Sequence, residues 1–584
     1  MRTAGIAAAT TAALLLGALP LVCGHENQTL HPTPFVEKLD PPDVLWPSYF
    51  RHGQYGGWML AHILCMILAW VIVLPVALVL SSARSRYHLP AQVVFHTING
   101  LGVFTSIIYD NATPDLYEHN AHHLIGWIVN SLTFVWTFAS LYAEYGRYKS
   151  KKQGGAQNRS AVSQSRAHGY SDQSTRRWSR DSGVGSSRLD SSESILQKVE
   201  EPQSPEHDVG HGDEEEDDES ERRGFLGNHK ADRFISRHVR CFKAPGISTV
   251  IRVLQIFLEK LLLLLGFAAI LSGFVVYGGI ARHWQIFSIA AHFVKGGIFF
   301  WYGVLTLGRW MGAFTEFGWA WNIRPDYPLV ARWKSRVPSA EFTESFVIWF
   351  YGASNVFLEH LVDYGEGWTP EDFEHLSITV LFFGGGLLGM LIESNWAREL
   401  TNTTVVMQQQ KDVELTGTAR TSAPLPAEDP AAQLWREPTT YKTSTNPMPA
   451  LVIMILGIVM SAHPQKSMVS TMLHKQWGTL FGGFAIARAF TYIIMYLKPP
   501  TSHYPARPPT ELAAAFCLTS GGLLFMASAH DTVWAIESNG LGAITIFAVT
   551  MGLTGIIMAW EIVAFAIKGW AVRKEAYAAG KLSS

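Results

Sequence analysis

Charged side chains are scarce in this chain: Asp, Glu, Lys and Arg make up 16% of 584 residues, and the formal net charge is only −2. Without a broad basic surface, the chain has little to hold nucleic-acid phosphates, so nucleic acid is not an expected partner. Four cysteines are too few for a disulfide-stapled fold. The hydrophobic residues, 48% of the chain, stand in long uninterrupted runs, which predicts a protein of the lipid bilayer.

The N-terminus has the pattern of a secretory leader. Residues 1–24 combine Arg2, an apolar stretch that is shorter than the about 20 residues needed to cross a bilayer, and small side chains near residue 24. This predicts a cleaved signal peptide and an extracytosolic tail at 25–56. Sequons at Asn27 and Asn111 predict N-glycosylation, so we expect a membrane of the secretory pathway, the plasma membrane or the vacuole.

Apolar runs of bilayer length predict an all-α, polytopic membrane protein with about eleven transmembrane helices in two bundles. Lys and Arg follow alternate runs, which predicts a mature N-terminus outside and a cytosolic tail at 575–584. A Ser-, Gly- and Arg-rich segment with an acidic run, 149–249, predicts a disordered cytosolic linker between the bundles. The predicted spans are 57–80, 89–109, 121–145, 257–280, 285–307, 342–362, 374–393, 448–464, 475–497, 511–529 and 541–568.

Ionisable side chains inside a bilayer are costly and need a partner or a task. His62 in the first span lies at the predicted depth of His122 and His123 in the third, whereas His96 lies in the opposite leaflet. Two imidazoles at equal depth can supply both axial ligands of a haem iron. They can equally cap helix ends or bond to neighbours, and the residues alone leave both interpretations open.

An ordered set of residues runs through the N-terminal block, 57–148: Ala61-His62, Pro75, Arg84, His96 and HHLIGW at 122–127. This order resembles the core of the cytochrome b561 family. The resemblance implies a transmembrane electron carrier holding haem b, with His62 and either His122 or His123 as ligands and His96 at a second haem. The fourth span has no histidine at the depth of His96, so the resemblance supports only the outer haem.

The second block, 250–574, carries imidazoles and carboxylates that the predicted topology places toward the outer face: His292, Glu359, His360, Glu374, His375, His463, His474 and His530. These groups are ordinary ligands of a divalent metal such as zinc or copper, which predicts a metal site. A proton relay and simple polar caps at headgroup level fit the same residues.

Other residues of this block suggest packing. Buried charges usually pair, so Arg488 is expected to bind Glu393 or Glu561. The glycine runs at 382–389 and 481–484 predict close helix packing, because they lie within apolar spans.

Three long blocks, 291–325, 345–361 and 372–394, follow one another in the second half. They resemble the fungal family of Ytp-type transmembrane proteins, over about residues 255–570. The resemblance implies an integral membrane protein and carries no catalytic residues. Our leading hypothesis is transmembrane electron transfer through haem b in the N-terminal helices, with an unidentified electron donor and acceptor. The alternatives are a metal-ion or proton-linked transporter and a non-catalytic membrane scaffold.

Overall fold

The computed structural model describes residues 47–167, 245–282, 285–359, 370–415, 438–463 and 465–579. All regular structure in these ranges is helical, which confirms the all-α prediction. The chain divides into two compact units, Met1–Val129 with Leu261–Ser584, and Asn130–Lys260. The predicted signal peptide and Asn27 lie outside the described residues.

The helices are numbered here in chain order. They are α1 Gly56–Ser82, α2 His88–Ala112, α3 His122–Ala167, α4 Pro245–Gly278, α5 Ile286–Met311, α6 Ala340–Glu359, α7 Pro370–Glu393, α8 Asn395–Leu415, α9 Met448–Ala462, α10 Met468–Leu497, α11 Pro509–Ala527, α12 His530–Ser538 and α13 Ala543–Ala578. Within the described ranges, nine helices are long and apolar enough to cross a membrane.

Two of the eleven predicted spans fall short of that criterion. The span at 342–362 corresponds to α6, whose first two turns carry Glu341 and Glu344 and so lower its hydropathy. The span at 448–464 corresponds to α9, which has only 15 residues. Because about 20 helical residues are needed to cross the hydrocarbon core, α9 is shorter than a full span.

The helices that flank the predicted linker extend into it. Helix α3 continues to Ala167, and α4 begins at Pro245, so residues 149–167 and 245–249 are helical. Residues 168–244 lie outside the described part of the chain. In the smaller unit, Gln255 Nε2 lies 3.4 Å from Ser140 Oγ.

Helix α1 contains a π-helical segment, Leu68–Val73, immediately before Pro75. Proline has no N–H, so the carbonyl four residues earlier, that of Val71, loses its usual helical partner. The indole Nε1 of Trp560 in α13 donates to this carbonyl at 2.9 Å. The interruption in the first membrane helix is thus satisfied by the last one.

Close helix contacts in the second block depend on glycines. A Cβ added at Gly386 in α7 would lie 2.4 Å from the backbone nitrogen of Trp349 in α6. A Cβ at Gly303 in α5 would lie 2.2 Å from Thr519 Oγ1 in α11. The packing prediction for residues 382–389 is therefore confirmed. In the second run, a Cβ at Gly483 would lie 3.2 Å from Cys517 Sγ of α11, whereas Gly482 has no atom within 4 Å of an added Cβ.

These contacts arrange the helices of the second block in a series. Helix α6 packs on α7, α7 on α9, α9 on α10, α10 on α11, and α11 on α5. Helices α5 and α6 are the two ends of the series. The candidate site lies between them.

Candidate functional site

A cavity of about 1260 Å³ separates α5 from α6 and is also lined by α4 and α7. Most of its wall is apolar, with side chains such as Phe293, Trp301 and Ile348. Polar groups stand at distinct levels. Asp115 and Arg282 line one end; Lys295, Asn355 and His375 lie farther in; and Tyr302 and Glu344 line the other end. A mostly apolar pocket with a few converging polar groups is typical of a binding site.

The inner end of the cavity adjoins a buried cluster that we call the ionic network. Its members come from four helices: Arg309 of α5, Glu341 and Glu344 of α6, Arg488 of α10 and Glu511 of α11. The nitrogen-to-oxygen distances are 3.1 Å from Arg309 to Glu341, 2.6 Å from Arg309 to Glu344, 3.3 Å from Arg488 to Glu344 and 2.8 Å from Arg488 to Glu511. Every side chain in it is at most 8% exposed.

Aromatic groups surround this network. The hydroxyl of Tyr302 lies 3.4 Å from Arg488 Nη1 and also bonds to Glu344. The guanidinium of Arg309 lies 4.4 Å from the ring centre of Trp321, a residue of the loop after α5 that is 3% exposed. Cation–π contacts of this kind strengthen when water is excluded, so the loop covers and stabilises the network.

The prediction that Arg488 binds Glu393 or Glu561 is wrong. Glu393 instead accepts hydrogen bonds from Ser339 Oγ at 2.7 Å and Ser444 Oγ at 2.6 Å. Glu561 lies on α13 near Gly308, and its Oε2 is buried without a hydrogen-bond partner. The actual partners are Glu344 and Glu511. Glu511 lies in the first turn of α11, where a carboxylate is also favoured by the helix dipole.

Four of the predicted metal-site histidines form what we call the histidine group: His292, His375, His463 and His474. Glu374 lies beside them. Electrostatic interactions join His292 to His375 and His474, and His474 to His463. His463 Nδ1 forms a short hydrogen bond with the Glu374 carboxylate. The prediction that these distant stretches converge on one end of the bundle is consistent with these contacts.

In the histidine group, two imidazoles have only Nε2 left for a ligand. Each of His292 and His474 directs Nδ1 at a carbonyl of its own helix, at 2.8 Å from Ser288 O and from Ser470 O. Among the described residues, no three or more His, Cys, Asp or Glu side chains are arranged to hold a metal ion. His360 and the side chain of Glu359 lie outside the described set, so metal binding stays a prediction.

His530 and Asn111 have local partners. His530 Nδ1 lies 3.3 Å from Asp531 Oδ1, and its side chain is 47% exposed. Asn111 is exposed in the last turn of α2, where its Nδ2 donates to Ile107 O at 2.7 Å. Neither contact points to a ligand, and glycosylation of Asn111 stays a prediction.

The mouth of the cavity near Asp115 and Arg282 is held by loop contacts. Tyr117 donates its hydroxyl to the carbonyls of Ile280 at 2.7 Å and Ala281 at 2.8 Å, and Arg282 lies 4.5 Å from its ring centre. Asp531 accepts the Ala281 N–H at 2.9 Å. Burial raises the pKa of the Tyr117 phenol above its ordinary value, so the hydroxyl remains a donor over the neutral pH range.

In the N-terminal block, three of the four predicted haem residues are neighbours. His62 interacts electrostatically with His122 and His123. His62 Nδ1 donates to Gly102 O at 2.8 Å, which leaves Nε2 as the ring nitrogen with a lone pair. His96 lies six residues before Gly102 on α2, about 9 Å along the helix axis, and therefore at a different depth.

His122 packs against α4. Its Nδ1 lies 2.9 Å from Ser272 Oγ. A Cβ added at Gly273 would lie 3.1 Å from His122 Cε1 and 3.5 Å from Nε2. The Cε1–Nε2 edge of the ring therefore packs against Gly273, whereas His123 is exposed.

Sequence reasoning missed three members of the ionic network. In the sequence, Arg309 is one of the basic residues that follow an apolar run and predict its orientation, and no partner is predicted for Glu341 or Glu511. A usable signal was present, since both glutamates occupy the first turn of an apolar helix, where a charge needs a buried partner.

Two family models match the chain. Protein YTP1-like, C-terminal matches residues 265–569, which include the cavity helices from α5 to α11, and a domain of unknown function, DUF2427, matches residues 46–146. No solved structure matches the chain.

Three yeast proteins are similar to it. An uncharacterized membrane protein of Schizosaccharomyces pombe is 34% identical over 542 residues, which cover 91% of this chain and 97% of the relative. A second one, of Saccharomyces cerevisiae, is 29% identical over 94% of this chain and 90% of its own length. Protein YTP1 of Saccharomyces cerevisiae is 23% identical over 33% of this chain and 31% of its own length. One family model covers more than half of the chain, and the relative from Schizosaccharomyces pombe aligns with nearly all of it. The chain therefore belongs to the YTP1-like family of fungal membrane proteins.

Proposed function

We propose that this multi-pass membrane protein is a proton-linked transporter, and that its path is the cavity between α5 and α6. One observation carries the proposal: the cavity in the membrane domain is lined by His375 and Lys295 and also by Glu344 and Tyr302, which lies seven residues after Lys295 on α5. Ionisable groups inside a membrane domain mark ion and substrate pathways by default. Divalent metal ions are the first substrates to test, since the histidine group stands at the outer level.

The helix arrangement supports a path that opens and closes. Helices α5 and α6 are joined at the inner end by the ion pairs of Arg309 with Glu341 and Glu344. Elsewhere the cavity separates them, while each packs tightly on its own partner through glycine contacts, α5 on α11 and α6 on α7. Two helix pairs joined at one end of a cavity can move as bodies relative to each other.

The test uses the full chain in phosphatidylcholine vesicles loaded with a pH-sensitive dye and a zinc indicator. An imposed gradient of Zn²⁺ or Cu²⁺ should change the internal pH only in vesicles that contain the protein. Ala290 lines the cavity, so Ala290→Trp should block the flux. Val549 on α13 is 64% exposed and lines no part of the cavity, which makes Val549→Trp the size-matched control.

Two results would contradict transport of these ions. One is the absence of any proton or metal flux with a folded, monodisperse protein under every imposed gradient. The other is a flux that Ala290→Trp and Val549→Trp reduce equally, since the path would then lie outside the cavity.

Electron transfer through haem b is the second candidate, and the bonded Nδ1 of His62 favours it. Axial histidines usually donate one ring N–H to a carbonyl and ligate through the other nitrogen. The pair of His62 with His122 fits less well, because the Cε1–Nε2 edge of the His122 ring packs against Gly273 of α4. The pair that fits the group is His62 with His123, and bound haem would supply one-electron chemistry there.

Absorbance spectra of the purified protein test this candidate. Haem b gives reduced-minus-oxidised bands, which should vanish in His62→Ala and His123→Ala and persist in His96→Ala and His122→Ala. A protein without these bands, purified from haem-replete cells, would remove electron transfer from consideration. Fluorescent tagging would test the proposed residence in a secretory, plasma or vacuolar membrane.

A further inference from the structure

The ionic network contains two guanidinium groups and three carboxyl groups. When all five are ionised, one negative charge is in excess. The other titratable groups that face it are Tyr302 of α5, Tyr492 of α10 and, next to Glu341, Glu393 of α7. None of these supplies a positive charge. An uncompensated charge in a buried site is costly, and one bound proton removes it.

Of the three carboxyl groups, Glu344 alone is on the cavity wall, beside Tyr302. Glu511 is fully buried, and Glu341 is covered by Arg309 and by the hydroxyl of Tyr492 at 3.5 Å. A proton that arrives through the cavity therefore meets the network at Glu344. The Tyr302 hydroxyl, bonded to Glu344, is placed to pass it.

We propose that the ionic network carries one exchangeable proton, which enters and leaves through the Glu344 carboxyl from the cavity. The inference rests on the proposed function, because it names the residue at which a coupling proton binds. Glu344 also connects α6 to Arg309 of α5 and to Arg488 of α10. Neutralising it weakens the contacts that close the cavity at this end, which links proton occupancy to opening.

Chemical labelling of the wild-type full chain in lipid nanodiscs tests the inference without any transport. Dicyclohexylcarbodiimide is an apolar reagent that reacts with protonated carboxyl groups in apolar surroundings, and peptide mass spectrometry locates the adduct. We expect Glu344 to be labelled at acidic pH and Glu341 and Glu511 to be spared. Above the midpoint, labelling should fall about tenfold for each pH unit, as for a single proton.

A charge-count variant separates this inference from a purely structural ion-pair cluster. Glu511→Gln leaves two guanidinium groups and two carboxylates, so the excess charge disappears. The labelling of Glu344 should then be lost, although Glu511 itself is off the cavity wall. The control is Glu575→Gln, which alters a 30% exposed carboxylate paired with Arg86 and should leave the labelling unchanged.

Infrared difference spectra provide a second measurement. A pH jump should produce a protonated-carboxyl band in wild-type protein and in Glu575→Gln. The band should be absent in Glu344→Gln and in Glu511→Gln.

The inference is overturned by a Glu344 that stays unlabelled at every pH in folded protein. Labelling of Glu344 that Glu511→Gln does not change, or labelling at Glu561 alone, also overturns it. Labelling as expected without ion flux would refute only the proposed transport.

Discussion

The two ends of the cavity hold their ionisable groups in different ways, although the same helices supply both. Helix α5 carries His292 and Arg309, 17 positions apart, which is about 25 Å along the axis. Helix α10 carries His474 and Arg488, about 21 Å apart. At the arginine end every carboxylate partner lies on another helix, whereas His292 and His474 bond to carbonyls of their own helices.

This difference separates contacts that hold the helices together from contacts that do not. Breaking a bond to the backbone of the same helix leaves the contacts between helices intact, so His292 and His474 can change their ligands without separating the helices. Removing a partner from the ionic network leaves a buried charge behind. We therefore expect substitutions at the arginine end to affect stability and those at the histidine end to affect binding or transport.

Arg488→Met should have the largest effect. It leaves Glu344 and Glu511 without one cation in a buried site, which costs about 3–5 kcal/mol of unfolding free energy. Thermal unfolding of the detergent-solubilised protein measures the loss. In Arg86→Met, which breaks a pair whose arginine is 57% exposed, the change should stay below about 1 kcal/mol. Equal shifts in the two variants would remove the contrast between buried and exposed pairs.

Gly303→Ala tests whether the two ends depend on one helix contact. The added Cβ would lie 2.2 Å from Thr519 Oγ1, so α5 and α11 must separate, at a cost of about 1–3 kcal/mol. Gly482→Ala on α10 meets no atom within 4 Å and should be neutral or slightly stabilising. Unfolding midpoints compare the two. A neutral Gly303→Ala would show that α5 and α11 can separate freely.

Tyr117→Phe probes the mouth, at the same end as the histidine group. Loss of the bonds to Ile280 O and Ala281 O should cost about 1–2 kcal/mol. Because burial raises the pKa of this phenol, its ionised form is favoured in the unfolded chain, so the wild type loses stability as the pH rises into the alkaline range. Tyr117→Phe should reduce that alkaline loss, and unfolding midpoints across pH check it.

His463→Ala should have the smallest effect on stability. Its partner Glu374 is 49% exposed, so the lost interaction contributes less than about 1 kcal/mol. A change in ion flux in vesicles without a change in the unfolding midpoint would support the assignment of transport to the histidine end and of stability to the arginine end. A destabilisation as large as that of Arg488→Met would contradict it.

The sequence predicted the helical class and most spans, because these follow from hydropathy. It did not predict the partners of Arg488. Glu393 and Glu561 satisfied the same depth argument as Glu344 and Glu511, and depth alone does not say which helices are neighbours. That choice depends on glycine contacts such as the one at Gly303, which are visible only in three dimensions.

The cavity could not be predicted for the same reason. Most of its lining residues are ordinary apolar side chains from seven helices, and only the separation of α5 from α6 creates the space between them. In the N-terminal block, the sequence placed His62, His122 and His123 together but could not give the ring orientation of His122, which depends on Ser272 and Gly273 of α4.

The hydrogen bond from Trp560 to Val71 O joins positions 489 residues apart. During synthesis, the carbonyl oxygen of Val71 therefore has no access to this donor until α13 has been made. In lipid such a group is poorly tolerated on its own. Expressed alone, the N-terminal helices would lack that donor, so attempts to isolate them as a separate module should retain α13 in the same polypeptide.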